Sequence, residues 1–454
     1  MRKLFGTDGI RGVAGEAPLD EQTLVRIGSA LVEEWRQKGT KPRVILGRDT
    51  RASGEWIAAT LIGSMMTSGI EEATDVGVIS TPGLAYLTRH HGFDLGIMIS
   101  ASHNPYEDNG IKIFGKDGFK LTDAQELEIE RLIEELPPQL PNQSPPSRVT
   151  SSQLVSEYID FLKSQTKTRL GRLRIGLDVC NGSAHAIAPQ VFRELDASVV
   201  VINDKPDGKN INLNCGSLHL SQLISLVKER ELDLGVAFDG DADRSLFVTH
   251  SGRVFDGDFV LFVLALHFRG HQQLRGNKVV GTIMSNYALE QTLNERGIEF
   301  LRASVGDRYV LEMMTQVGAS LGGEPSGHVI LLNSHTAGDG ILTAVKLAEI
   351  LGESGATLDD LADGFHPYPQ LLDGFKVRKR IPLANPAIAE LINNAEKRFG
   401  DSGRLVIRYS GTEPLLRIMA EGPDGAKVKS VVSELKASLG DLITQLSNEN
   451  GSLP

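Results

Sequence analysis

Three aspartates alternate through DGDADR at 239–244, the strongest chemical signal in the chain. Asp239, Asp241 and Asp243 crowd three carboxylates into one short turn. Left alone they repel one another; a hard divalent ion, magnesium above all, removes that cost and suits oxygen ligands. A solvated acidic turn or a calcium loop is the plainer alternative, although the DxDxDG run and distant Glu of an EF-hand are missing. A metal serving phosphoryl transfer keeps a position for a phosphate oxygen. Arg244 can hold the phosphate edge by a charge-assisted contact.

A candidate nucleophile lies in SASHNPYEDNGIKIF at 100–114. Ser102 follows an apolar run, as a side chain on a turn after a strand does. A free serine hydroxyl is a poor nucleophile and needs activation. His103 and Lys112 offer polar assistance, and a phosphorylated Ser102 could give the metal its last oxygen. Asn104-Pro105 and Asn109-Gly110 favour sharp turns. The same residues could build no more than a rigid surface loop.

Two further loops carry polar donors. In GGEPSGH at 322–328, Glu324 and Ser326 can hydrogen-bond sugar hydroxyls, and His328 can relay a proton near neutral pH. A structured turn with a solvated Glu324 explains the segment equally well. In RYSGTEPLLR at 408–417, Arg408, Ser410 and Thr412 can donate to phosphate. The backbone of Gly411 can approach it closely, and Arg417 can complete a positive pocket. A polar strand turn with a Glu413 salt bridge is the alternative. Neither a GxxxxGK[ST] loop nor a GxGxxG fingerprint in strand–helix context is present, which argues against ATPase, kinase and dinucleotide chemistry.

Alternating strand and helix patterns must position these loops. Helices are expected over 20–36 behind an Asp20 cap, over 54–68, from a Thr122–Gln125 capping box to about 136, and over 217–230, 285–296 and 338–352. Strands are expected at 43–47, 94–100, 173–179, 234–238 and 279–283. The strand at 94–100 runs into Ser102, and that at 234–238 runs into Asp239. PPQLPNQSPPSRVT at 137–150 reads as a connector, because its prolines oppose regular structure. Residues 365–386 read as a second Pro-containing stretch, before two apolar segments that flank the 409–414 loop. The division expected is 1–150, 151–254, 255–366 and 367–454. The shared rhythm of the first three units hints at duplication without proving it.

With 454 residues, the chain is too long for one ordinary core. A net charge of -11 gives no general nucleic-acid-binding surface, while local arginines can still gather an anion. Cys180 and Cys215 are too few for a disulfide framework or a cysteine zinc site. No run reaches transmembrane length and MRKLFGTDGIRG lacks a signal-peptide core, so no membrane partner and a cytoplasmic location are expected. A homodimer is compatible with the composition but not demanded by it.

Taken together and in this order, the four motifs resemble the alpha-D-phosphohexomutase superfamily across essentially the whole chain. SASHNP at 100–105 resembles its phosphoserine loop, with Ser100 in place of the commoner threonine. DGDADR resembles its metal loop, GEPSGH at 323–328 its sugar-recognition loop, and RYSGTEP at 408–414 its distal phosphate loop. FGTDGIRG at 5–12, NDKPDGKNINLNCGS at 203–217, VGDRYVLEMM at 305–314 and HTAGDGILTA at 335–344 narrow the resemblance to the phosphoglucosamine mutase family. Pro325, Ala337 and Tyr409 depart from commoner residues without removing a reacting group.

The resemblance implies a four-domain phosphohexomutase architecture around a central cleft. Three related mixed α/β domains would carry the phosphoserine, the metal and the sugar-recognition loop. A smaller C-terminal α+β domain would bind phosphate. It implies interconversion of glucosamine 6-phosphate and glucosamine 1-phosphate through phosphoserine at Ser102 and a glucosamine 1,6-bisphosphate intermediate. The product would serve UDP-N-acetylglucosamine and bacterial cell-wall synthesis. Mg2+ would be the cofactor, and glucosamine 1,6-bisphosphate or glucose 1,6-bisphosphate the priming activator. Arg11 would sit near the reacting phosphate, with Lys112 and His328 assisting proton transfer. A phosphomannomutase or phosphoglucomutase, and an inactive phosphosugar-binding scaffold, are the competing readings.

Overall fold

Short runs of Val, Ile, Leu and Gly become buried strands, because parallel strands covered on both faces need apolar side chains on both. The structure, a computed structural model, describes residues 4–6, 8–70, 72–137, 148–410 and 414–449. The chain divides into two units: Met1–Thr282 with Arg302–Ala362, and Ile283–Leu301 with Asp363–Pro454.

The first unit holds three sheets. The seven-stranded one has Leu95–Ile99 near its middle, parallel to Val44–Arg48 and antiparallel to Asp108–Gly115. Ser102 leaves one of these central strands and Lys112 rides on the next. Helices Glu21–Gln37 and Ser53–Thr67 cover the sheet, and Asp20 caps the first by accepting from the Thr23 N–H. The Thr122–Gln125 capping box is present ahead of helix Asp123–Glu135. In the second sheet, Leu234–Phe238 lies parallel to Arg174–Asp178 and antiparallel to Ser245–Thr249. The aspartate turn therefore links two central, hydrogen-bonded strands. In the third, Lys278–Thr282 runs parallel to Leu321–Gly323, which pairs antiparallel with Val329–Leu331. The GEPSGH loop is the hairpin end between the last two.

In the second unit, Leu415–Glu421 is the middle strand, flanked by Gln370–Lys376 and Arg404–Tyr409. Helices Pro386–Phe399 and Gly425–Glu449 bury their apolar faces in this unit's core.

Three sequence expectations are corrected. Arg148–Thr150, read as the end of a connector, is an edge strand parallel to Ala73–Asp75; prolines at 145 and 146 lie before it, and 138–147 fall outside the described residues. The 365–386 stretch contains strand Gln370–Lys376, since its prolines stand at 367, 369, 382 and 386, outside the paired segment. The helix expected over 217–230 is split into a single 3-10 turn at Gly216–Leu218 and a helix at Ser221–Glu229, because His219 has non-helical backbone angles. Among the described residues, no helix is long and apolar enough to cross a membrane.

Candidate active site

Ser102 is buried at the sharp exit of strand Leu95–Ile99, with φ at 53°. A left-handed serine costs about 1–2 kcal/mol unless its surroundings hold it. They do so through several contacts. Ser100 Oγ accepts from the Ser102 N–H at 3.0 Å and donates to Asp49 Oδ2 at 2.6 Å. Arg51 Nη2 and Asn212 Nδ2 each donate to the Ser102 carbonyl at 2.9 Å. A Cβ at Gly240 would stand 2.5 Å from that carbonyl oxygen, so only glycine lets the aspartate turn pack here.

The hydroxyl so presented donates to Asp239 Oδ2 at 2.6 Å, across 137 residues of sequence. His103 Nδ1 is 3.2 Å from the same oxygen. Burial, with Arg244 and Arg11 nearby, lowers the His103 pKa to about 4, so its ring is neutral at physiological pH. Asp239, Asp241 and Asp243 are all buried, with one ligand oxygen from each within 4.8 Å of the others. Asp241 Oδ1 and Asp243 Oδ1 are buried and accept no hydrogen bond. Buried carboxylate oxygens without donors are costly, and this all-oxygen donor set fits a hard divalent cation. Burial, then the Asp243 and Asp241 charges, pushes the Asp239 carboxyl well above its usual range.

Lys112 supplies part of the missing positive charge. Its Nζ lies 2.8 Å from Asp241 Oδ2, 3.3 Å from Asp243 Oδ2 and 3.1 Å from Asp8 Oδ2. Burial alone would favour a neutral amine, but those carboxylates outweigh it and raise the Lys112 pKa well above normal. Lys112 is therefore an ammonium here, able to donate and to neutralise charge. Arg11 pairs with Asp8 and reaches Asn104 Oδ1 at 3.5 Å.

The other loops of this unit face the same turn. Arg244 Nε is 3.7 Å from Asp243 Oδ1, and Asp243 and Asp239 overcome burial to hold its pKa high. His328 Nδ1 is also 3.7 Å from Asp243 Oδ1; burial opposes its protonation, but Asp243 raises its pKa overall. A Cβ at Gly338 would lie 2.2 Å from His328 Nε2, so the glycine makes room for the imidazole. Glu324 is fixed by accepting from the Gly306 N–H at 3.0 Å, while Ser326 Oγ is buried with no hydrogen-bond partner. A cavity of about 930 Å³ opens beside Asp243 and His328, lined also by Lys120, Asp307 and Thr336. The distance-spanning contacts thus join Ser102, Lys112, the three aspartates, Arg244 and His328 into one constellation.

The segment expected to bind phosphate, 408–417, belongs to the second unit. Arg408 and Arg417 are paired directly across two antiparallel strands. Their neighbours Ile407, Tyr409, Leu416 and Ile418 turn into the core, so both arginines project from the other face. Like charges set opposite each other repel, a cost a bound phosphate would convert to attraction. Tyr409 donates to the Ile381 carbonyl at 2.7 Å and accepts from its N–H at 3.1 Å, pinning the loop's base. Arg380 Nη2 donates to the Ser410 carbonyl at 2.6 Å. Gly411 and Thr412 lie outside the described residues.

Sequence reasoning passed over Asp8, Asp49, Arg51, Thr81 and Asn212. Thr81 donates to Asp241 Oδ2, and its N–H to the Asp241 carbonyl at 2.9 Å. Only Asp8 and Asn212 stood in segments already singled out, FGTDGIRG and NDKPDGKNINLNCGS.

The chain matches four families: phosphoglucomutase/phosphomannomutase alpha/beta/alpha domain I over residues 2–139, domain II over 156–252, domain III over 256–368, and the C-terminal domain over 373–438. A phosphoglucosamine mutase of Solibacter usitatus is 46% identical over 449 residues, covering 99% of this chain and 100% of the relative. A phosphoglucomutase/phosphomannomutase family protein from Burkholderia thailandensis has a similar fold, with a TM-score of 0.80 at 24% identity, over 97% of this chain and 98% of that one. The N-acetylphosphoglucosamine mutase of Aspergillus fumigatus, solved with GlcNAc-6P and magnesium, gives a TM-score of 0.66 at 16% identity, over 97% and 96%.

Proposed function

The chain belongs to the phosphoglucosamine mutases of the phosphohexomutase superfamily, and from that premise we propose a role for each side chain of the site. It has the four-domain phosphohexomutase architecture and interconverts glucosamine 6-phosphate and glucosamine 1-phosphate. The observation that carries the assignment of roles is the 2.6 Å bond from Ser102 Oγ to Asp239. It puts a hydroxyl beside three buried carboxylates.

In this reading Ser102 carries the transferable phosphate. The C1 hydroxyl oxygen of glucosamine 6-phosphate attacks phosphorus, the Ser102 Oγ–P bond breaks, and glucosamine 1,6-bisphosphate forms. His328, oriented by Asp243, receives the hydroxyl proton. Lys112, as an ammonium, holds the charge developing on the leaving Oγ, and His103 stays a neutral hydrogen-bonding partner. Arg11 and Arg244 hold the equatorial phosphoryl oxygens. Mg2+ on Asp239, Asp241, Asp243 and a phosphoryl oxygen of Ser102 would supply Lewis-acid neutralisation of that charge. The bisphosphate then turns, its C6 phosphate returns to Ser102, and glucosamine 1-phosphate leaves.

Two ends of one sugar must use the same recognition groups in turn. Glu324 and Ser326 serve the hydroxyls; Arg408, Ser410, Gly411, Thr412 and Arg417 serve the phosphate that is not reacting. Glucosamine 1,6-bisphosphate or glucose 1,6-bisphosphate would restore a chain that has lost its phosphate. The test is turnover of glucosamine, glucose and mannose 6-phosphates with Mg2+ and catalytic bisphosphate, with Ser102→Ala as the control. Preferred turnover of the amino sugar, lost in S102A, is expected. Normal turnover by S102A without a phosphoenzyme would sink the nucleophile assignment.

A further inference from the structure

We propose that His267, His271 and Glu353 form a separate site for a divalent transition metal of the Zn2+, Ni2+ or Cu2+ class. One ligand atom from each lies within 4.8 Å of the others. The histidines stand four residues apart, at the end of helix Gly257–Gly270, so both rings rise from one face. The ring centroids are 4.2 Å apart. Glu353 comes from the last turn of helix Gly340–Ser354. Two imidazoles and one carboxylate suit these metals, whereas magnesium prefers oxygen alone.

The surroundings set up the ligands. His271 Nδ1 is 2.8 Å from the His267 carbonyl, which can only accept. Nδ1 must therefore carry the proton, leaving the Nε2 lone pair for a metal. Glu353 Oε1 accepts from Thr168 Oγ1 at 2.8 Å. A carbonyl behind a ligating histidine and a donor behind a ligating carboxylate are the usual supports of a metal centre.

Electrostatics favours a cation here. Both helices end at the cluster, and helix C-termini carry partial negative charge. The nearby ammonium of Lys346 is committed elsewhere, to Glu349 at 2.9 Å and to the Gln165 carbonyl. His271 and Glu353 are exposed, so a metal needs no path through the core. Once bound, it would tie together two helices and, through Thr168, the segment leading to strand Arg174–Asp178. None of these groups takes part in the mutase steps, so this site stands or falls independently of that reading.

The experiment uses the untagged full-length chain in excess Mg2+, which keeps the aspartate turn loaded. Cu2+ is added to one equivalent and the EPR spectrum recorded; Ni2+ is titrated separately by calorimetry. Wild type should show superhyperfine coupling to two imidazole nitrogens and one Ni2+ site per chain. His271→Ala should drop one nitrogen and weaken Ni2+ by at least about tenfold, with mutase turnover unchanged. Glu353→Gln should keep both nitrogens and still weaken Ni2+. Spectra and affinities that are the same in wild type and His271→Ala, or no binding by wild type, would overturn the proposal. His271 is exposed, so loss of fold does not confuse the comparison.

Discussion

Arg51 donates through Nη2 to the carbonyl oxygen of Ser102 at 2.9 Å, and this buried guanidinium fixes the Ser102 backbone without touching its hydroxyl. It also donates to the carbonyls of Asn104 at 2.8 Å and Asp108 at 3.0 Å, to that of Pro105, and through Nε to Asp49 at 2.9 Å. A flat five-donor fork can span these acceptors; a lysine ammonium cannot. Arg51→Lys should keep the charge and release the loop. Transfer from bisphosphate to Ser102, followed by mass spectrometry, should slow by about 10- to 100-fold, with KM for the sugar phosphate little changed. An unaltered phosphorylation rate would remove Arg51 from this role.

Why was Arg51 not legible in the sequence? Four of its bonds go to backbone carbonyls more than fifty residues away, and any sequence can supply a carbonyl. The aspartate turn, by contrast, announced itself through side-chain types at close spacing. Leu234–Phe238 was readable to the residue because a fully buried strand must be apolar throughout. Strand Gln370–Lys376 was missed because none of its positions is fully buried and it has prolines beside it. Arg148–Thr150 gave too short a pattern to stand out.

Removing Lys112 should expose the cost of the carboxylates it serves. Asp8, Asp241 and Asp243 all lie within 3.3 Å of its Nζ. Lys112→Met should destabilise the metal-free protein by about 3–5 kcal/mol, the usual penalty for stranding buried charge. Mg2+ should return more stability to this variant than to wild type. The check is the thermal midpoint of each with EDTA and with saturating Mg2+. An equal metal-induced shift in both would separate Lys112 from any metal held by the aspartate turn.

Arg417→Ala should divide binding from folding. Arg417 projects from the face opposite the apolar core of its sheet, so its truncation should leave urea stability within about 0.5 kcal/mol of wild type. The proposed phosphate clamp loses a charge-assisted donor, worth about 1.5–3 kcal/mol, and KM should rise by about 10- to 100-fold. Calorimetric binding of glucosamine 6-phosphate, beside urea unfolding, tests both halves. Unchanged affinity with lost stability would make Arg417 a structural residue.

His335 should give the fold an acid limit. Its Nδ1 accepts from the Ala337 N–H at 2.9 Å and its Nε2 donates to the Pro82 carbonyl at 3.0 Å, so both nitrogens are used by the neutral ring. A second proton would displace the Ala337 bond and charge a buried group. Burial accordingly lowers its pKa from 6.5 to about 4, against a modest opposing pull from the Pro82 carbonyl. With the folded pKa below the unfolded one, the contribution is fully present above about pH 6.5 and is lost as pH falls toward about 4. Between about pH 7 and about pH 5 it amounts to about 2 kcal/mol. His335→Gln cannot take up that proton, so its urea stability should fall less over the same range by that amount, whatever its stability at neutral pH. Parallel pH profiles for the two proteins would show that His335 titrates alike in the folded and unfolded chains.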